Sequence, residues 1–191
     1  MNLPLSLPNI LTSLRIILIP VMVLVFYLPF DWRFVGAACL FGLASFTDWV
    51  DGYLARRLGQ MTPFGAFLDP VADKLIVTVS LVILVEHYAT PFFSIPALII
   101  IGREIVVTAL REWMAQNREV QGLSVSAMGK FKTGCQMFAI VVLLASGANP
   151  HGWLATTGYL MLYGAAFMTI LSMFQYLSKA WPHLSMGMKN R

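Results

Sequence analysis

Six stretches of this chain are apolar for long enough to cross a lipid bilayer, and that constrains its fold more than any other feature. A spanning helix needs about twenty mostly apolar residues. Such runs extend from Leu7 to Leu28, Phe34 to Leu54, Asp69 to Val85, Phe92 to Met114, Phe131 to Ser146 and Trp153 to Leu177. The third and fifth are short in their purely apolar part, so their helices are expected to reach into the neighbouring polar loops. None of the runs alternates with period two. Because backbone polar groups in lipid must be satisfied within a helix or a closed barrel, helices remain. Composition agrees: 58% of residues are hydrophobic and 12% charged, where soluble domains carry about a quarter charged. The expected fold is all-α, one polytopic membrane domain over residues 1–191 with six transmembrane helices and a cytoplasmic-side active-site cavity. No internal repeat or second domain is visible.

Charge orients the segments. Arg56 and Arg57 join the second and third, Arg118 and Lys130 join the fourth and fifth, and Lys179, Lys189 and Arg191 lie in the tail. Of the Lys and Arg residues, the opposite connections hold Arg33 alone. The positive-inside rule then places both termini and both basic loops in the cytoplasm. Tyr27, Trp32, Tyr88 and Trp153 fall at the outer helix ends and Trp49, Tyr53, Trp113 and Trp181 at the inner ones, a pair of interfacial belts. The formal charge of +4 points to an anionic lipid surface, since no basic run with interleaved aromatics suggests nucleic acid. Cys39 and Cys135 lie in apolar runs and are expected to pack between helices. The first run carries Arg15, lacks a basic leader and shows no small-residue cleavage pattern before Asp31, so it reads as a retained helix.

Carboxylates are costly near lipid, about 2.5–3.5 kcal/mol at mid-bilayer. Even so, Asp48, Asp51, Asp69 and Asp73 crowd into one short part of the chain. Asp48 and Asp51 are spaced i, i+3 at the end of the second segment; Asp69 and Asp73 are spaced i, i+4 at the start of the third. Each spacing puts both side chains on one helical face. The short loop makes the two helices antiparallel neighbours whose acidic faces can meet. Converging carboxylates repel unless cations sit among them, and hard oxygen ligands suit Mg²⁺, Mn²⁺ or Ca²⁺. Two such ions would clamp the attacking and leaving oxygens of a phosphoryl transfer. Solvated loop carboxylates are the bland alternative, disfavoured by the apolar flanks.

Gly52 and Gly65 would let the backbone approach a bulky ligand, and Arg56 offers a fork for a diphosphate. Pro70 suits a first helical turn, so the third helix is expected to begin near Asp69. As a pattern, the stretch reads D-x-x-D-G-x-x-A-R, eight residues, then G-x-x-x-D-x-x-x-D, from Asp48 to Asp73 with Ala55 in its place. It resembles the signature of the CDP-alcohol phosphatidyltransferase family at every defined position. The resemblance implies a six-helix membrane homodimer that displaces CMP from a CDP-linked donor. It extends to 7–15, to Thr47-Asp48-Trp49, 64–74, Arg103-Glu104, 110–113 and 129–133. There the similarity is to bacterial members that move the phosphatidyl group of CDP-diacylglycerol to sn-glycerol 3-phosphate on the way to phosphatidylglycerol and cardiolipin.

In that light Asp48, Asp51, Asp69 and Asp73 would hold Mg²⁺ or Mn²⁺ at a two-ion site. Asp48, Asp51, Gly52, Arg56, Gly65 and Asp69 would bind CDP-diacylglycerol, and Asp73 would act as general base. Arg103, Arg111, Lys130 and Lys132, near the basic ends of the fourth and fifth segments, could hold the acceptor phosphate; ordinary flanking charge is the bland and less favoured alternative for Arg111 and Lys132. Arg103 lies deeper in its segment, where a pair with Glu104 would also satisfy it. Asn9, Thr12 and Arg15 could line the cavity, although interhelical polar contacts account for Asn9 and Thr12 equally well. His87, His151 and His183 belong to outer connections or the tail, away from the aspartates. Rival readings are a family member with another acceptor (inositol phosphate, serine or phosphatidylglycerol), an intramembrane prenyltransferase, or a cation transporter. The prenyltransferase would carry two separated aspartate motifs, and the transporter would carry acids at helix centres rather than ends.

Overall fold

The structure is a computed structural model. It describes the backbone of residues 7–58, 63–116 and 127–189, and within these the side chains of 10–48, 50, 65, 67–110, 112–114, 132–178 and 181. The described residues are all-helical, without strands: α1 (Leu7–Tyr27), α2 (Arg33–Leu58), α3 (Pro63–Tyr88), α4 (Pro91–Gln116), α5 (Ala127–Ala145), a 3₁₀ turn (Ser146–Ala148) and α6 (Trp153–Lys189). Each apolar run of the sequence falls in one helix, with Leu28 and Ser146 just past the ends of theirs. α3 and α5 do extend into the polar loops, and α6 continues past Leu177 to Lys189.

Among the described residues, three helices are long and apolar enough to cross a membrane: Ile10–Tyr27 in α1, Pro91–Met114 in α4 and Trp153–Ser178 in α6, with mean hydropathies of 2.3, 1.9 and 1.5. The apolar part of α5, Lys132–Ala148, is shorter. α3 carries Asp69, Asp73, Lys74 and Glu86 along its length. Outward faces are oily throughout. Ile17, Leu24, Phe46, Phe67, Leu98, Leu160 and Phe167 are all exposed, far more apolar surface than a soluble monomer presents.

α1 packs along both α2 and α3, α5 along α6 and α2, and α4 along α6, whereas α2 and α3 touch each other only slightly. Among the described residues, α1 lies against both acidic helices and links them. Small residues permit close packing: a Cβ added to Gly158 of α6 would come within 2.7 Å of Leu143 on α5. The core runs through Met22, Phe41, Leu81, Leu84, Phe93, Ile100, Ile140, Leu143 and Leu162.

Three expectations are corrected here. α3 starts at Pro63, not near Asp69; Pro63 takes the first helical position that suits proline, leaving Pro70 inside the helix. Tyr88 is no belt residue but is buried, its hydroxyl donating to the Leu143 carbonyl at 3.1 Å and lying 2.9 Å from Ser146 Oγ. Cys39 is exposed on α2 rather than packed between helices, and both cysteines are free. By contrast Tyr27, Trp32, Trp153 and Trp181 are exposed as belt residues should be.

Candidate active site

α1 ties the two acidic helices together. Thr12 and Arg15 are spaced i, i+3 and share one face of α1, and both are buried. Thr12 Oγ1 donates to Asp69 Oδ1 of α3 at 2.5 Å. Arg15 Nη1 donates to Asp48 Oδ1 of α2 at 2.5 Å, an ion pair whose arginine is 1% exposed and whose aspartate is 42% exposed. A buried guanidinium without its carboxylate would cost about 3–5 kcal/mol, so Asp48 and Arg15 hold each other in place. Thr12 and Arg15, two of the three residues read as cavity lining, are thus direct partners of the aspartates.

Asp73 lies one turn along α3 from Asp69 and is partly buried. The charges acting on it come from Asp48, Arg15, Glu104 and Lys74. The acidic ends of α2 and α3 and the polar middle of α4 therefore share one electrostatic neighbourhood. Asp51, Gly52 and Arg56 belong to α2, Arg111 to α4, Lys130 to α5 and Asn9 to α1, but their side chains lie outside the described residues. Gly65 is buried near the start of α3.

A second polar cluster joins α4, α5 and α6. Arg103 Nη1 donates to Glu104 Oε1 at 2.8 Å, and Lys132 Nζ lies 3.6 Å from the same oxygen. Arg103 Nη2 also donates to Ser172 Oγ of α6 at 3.2 Å, and its guanidinium faces the Tyr176 ring at 6.0 Å. Two of the four cations assigned to the acceptor phosphate therefore converge, and Glu104 is the carboxylate between them. Glu104 was visible in sequence only as a neighbour of Arg103. Its position as a hub depends on Lys132 arriving from a different helix.

The donor set at the acidic end, carboxylate oxygens alone, is that of a hard divalent cation. Among the described residues no three His, Cys, Asp or Glu side chains converge tightly enough to enclose an ion. His87 lies at the opposite end of the bundle, where its Nε2 donates to the Gly147 carbonyl at 2.9 Å.

A sequence profile of the CDP-alcohol phosphatidyltransferases matches residues 5–174. The chain belongs to this family. The match spans both aspartate pairs, the α1 residues that bind them and the Arg103–Glu104–Lys132 cluster. Among CDP-alcohol phosphatidyltransferases similar to the chain is a Pseudomonas fluorescens protein named CDP-diacylglycerol–glycerol-3-phosphate 3-phosphatidyltransferase. It is 52% identical over 180 residues, covering 94% of this chain and 92% of the relative. Proteins of the same name from Escherichia coli and Salmonella choleraesuis are 48% and 47% identical over 175 residues, covering 92% of this chain and 94% of each relative.

Proposed function

We propose that the chain transfers the phosphatidyl group of CDP-diacylglycerol to sn-glycerol 3-phosphate, releasing CMP and forming phosphatidylglycerophosphate for phospholipid biosynthesis. The observation that carries this reading is identity of 47–52% across more than nine-tenths of the chain with relatives bearing that reaction's name. The paired aspartates and the cationic cluster supply matching chemistry.

In this reading residues 1–191 form one domain that spans the bacterial inner membrane six times. Both termini and the acidic end face the cytoplasm, and the Lys and Arg of the inner connections support that orientation. CDP-diacylglycerol sits with its acyl chains in lipid and its diphosphate against Asp48, Asp51, Gly52, Arg56, Gly65 and Asp69. The family is generally dependent on a divalent metal. Asp48, Asp51, Asp69 and Asp73 would hold Mg²⁺ or Mn²⁺, two ions in all, and bound metal would neutralise charge on the diphosphate. Arg15, already on Asp48, orients that carboxylate. Asp73 takes the proton from the 1-hydroxyl of glycerol 3-phosphate as that oxygen bonds to the lipid-side phosphorus. The phosphorus–oxygen bond to CMP breaks, and CMP leaves with the electron pair. Arg103, Arg111, Lys130 and Lys132 hold the acceptor phosphate, with Asn9 and Thr12 on the α1 wall. A homodimer in a phospholipid membrane is the assembly the family resemblance supports.

The test is CMP release by the purified chain from CDP-diacylglycerol with glycerol 3-phosphate, inositol phosphate, serine or phosphatidylglycerol as acceptor. Glycerol 3-phosphate alone should support turnover, and Asp73→Asn should abolish it while retaining donor binding. Turnover with a different acceptor, or an active Asp73→Asn enzyme, would overturn the corresponding part of the reading.

A further inference from the structure

Arg103 Nε, Gln136 Oε1 and Thr169 Oγ1, on α4, α5 and α6, are among the buried polar atoms with no hydrogen-bond partner among the described residues. Buried polar groups are almost always paired, so orphans gathered in one region call for an explanation. Gln136 is 3% exposed and Thr169 0%. Gln136 lies one turn from Lys132 on the same face of α5, and Thr169 one turn from Ser172 on the same face of α6. Ser172 accepts from Arg103, which turns that α6 face toward α4. The close approach of Gly158 to Leu143 fixes the register of the antiparallel α5 and α6. Counting equally along both helices from that contact brings Lys132 level with Thr169. Gln136 and Thr169 therefore lie within about one helical turn of Lys132 along the bundle axis, on the faces that carry Lys132 and Ser172 to Glu104 and Arg103.

Their chemistry is mixed in an informative way. Arg103 Nε is a donor and suits an oxyanion. Gln136 Oε1 is an acceptor, which a fully ionised phosphate cannot satisfy; it needs a donor, which on a phosphorylated polyol is an O–H. Thr169 Oγ1 can give or take. A ligand answering all three carries an oxyanion and a hydroxyl a few bonds apart, as a phosphorylated polyol does.

We propose that Gln136 and Thr169 form the subsite that reads the 2-hydroxyl of the acceptor, beside the cations that hold its phosphate. This rests on glycerol 3-phosphate being the acceptor. The two residues set specificity: they neither move the reacting proton nor touch the donor.

The experiment compares glycerol 3-phosphate with 3-hydroxypropyl phosphate, which keeps the phosphate and the attacking hydroxyl but lacks the 2-hydroxyl. CMP release and thermal unfolding are measured for the full chain and for Gln136→Met, Thr169→Val and Thr169→Ser. The unsubstituted chain should prefer glycerol 3-phosphate in kcat/KM by about tenfold or more, the effect of one buried hydrogen bond. Gln136→Met and Thr169→Val should raise KM for glycerol 3-phosphate by about that factor and shrink the preference toward one, leaving KM for CDP-diacylglycerol unchanged. Thr169→Ser should restore the preference.

If the groups are merely orphaned in an apolar interior, the apolar replacements will unfold at higher temperature and discriminate as before, which overturns the subsite. Should a variant fail to fold, absence of any preference in the unsubstituted chain overturns it equally. No CMP release from the unsubstituted chain with glycerol 3-phosphate would instead remove the acceptor reading, and the subsite with it.

Discussion

At one end of the bundle the helices meet through charges, and at the other through rings. The acidic end joins α1 to α2 and α3 by Arg15–Asp48 and Thr12–Asp69, and joins α4 to α5 and α6 around Glu104. The aromatic end stacks Tyr88 on Phe93 with ring centroids 5.0 Å apart, sets Tyr159 edge-on to both and packs His87 against Phe26 and Phe34. Polar atoms there close on one another: Tyr88 on Leu143 and Ser146, His87 on Gly147, and Tyr27 on Glu86. Gln136 and Thr169, toward the acidic end, keep unmatched atoms. A bundle built only for stability would satisfy or replace such groups; leaving them is the usual mark of a site that must accept a ligand. The aromatic end fastens the helices, so the acidic end can carry like charges close together.

The sharpest way to break this contrast is to neutralise one aspartate. Asp69→Asn keeps an oxygen to accept from Thr12 but removes the charge, so turnover should fall by about a hundredfold or more with little change in unfolding temperature. The reverse pattern, a destabilised but active protein, would make the acidic end structural. Phe93→Ala at the other end should do the opposite. Phe93 is fully buried, and losing its ring should cost roughly 3–5 kcal/mol of stability. Activity of the folded fraction, measured as KM for either substrate, should not change.

What could be read from sequence, and what could not, follows the same division. The six helices were legible because run length in lipid is dictated by bilayer thickness. The aspartates stand out in the sequence because charges contrast with an apolar background, and their spacing fixes a face. Partners across helices were not. Thr12 reaches Asp69 and Arg15 reaches Asp48 over separations of 57 and 33 residues, and spacing on one helix says nothing about which neighbour its face meets. Burial was illegible for a different reason. When the surroundings are lipid, outward and inward positions are both apolar, so hydrophobic periodicity no longer separates them. Cys39 looked internal and is exposed; Tyr88 looked interfacial and is buried. Glu104 stood next to Arg103 in sequence, but its contact with Lys132 needs α5 packed in place.

The smallest expected effect tests whether the aromatic end is only a fastening. Tyr88→Phe keeps the ring stacked on Phe93 and deletes one hydroxyl. Without it the Leu143 carbonyl loses that donor and Ser146 Oγ a neighbour, although Ser146 still donates to the Leu143 carbonyl at 3.1 Å. With that acceptor still partly satisfied, the loss should be near the low end for a buried hydrogen bond, about 1 kcal/mol, seen as a small drop in unfolding temperature. CMP release at saturating substrate should be unchanged, because neither Tyr88 nor its partners approach the aspartates. A clear fall in turnover with stability preserved would mean that the α3–α5 junction at the aromatic end sets the position of Asp69 and Asp73 along α3. The two ends would then be coupled through one rigid helix rather than divided in labour.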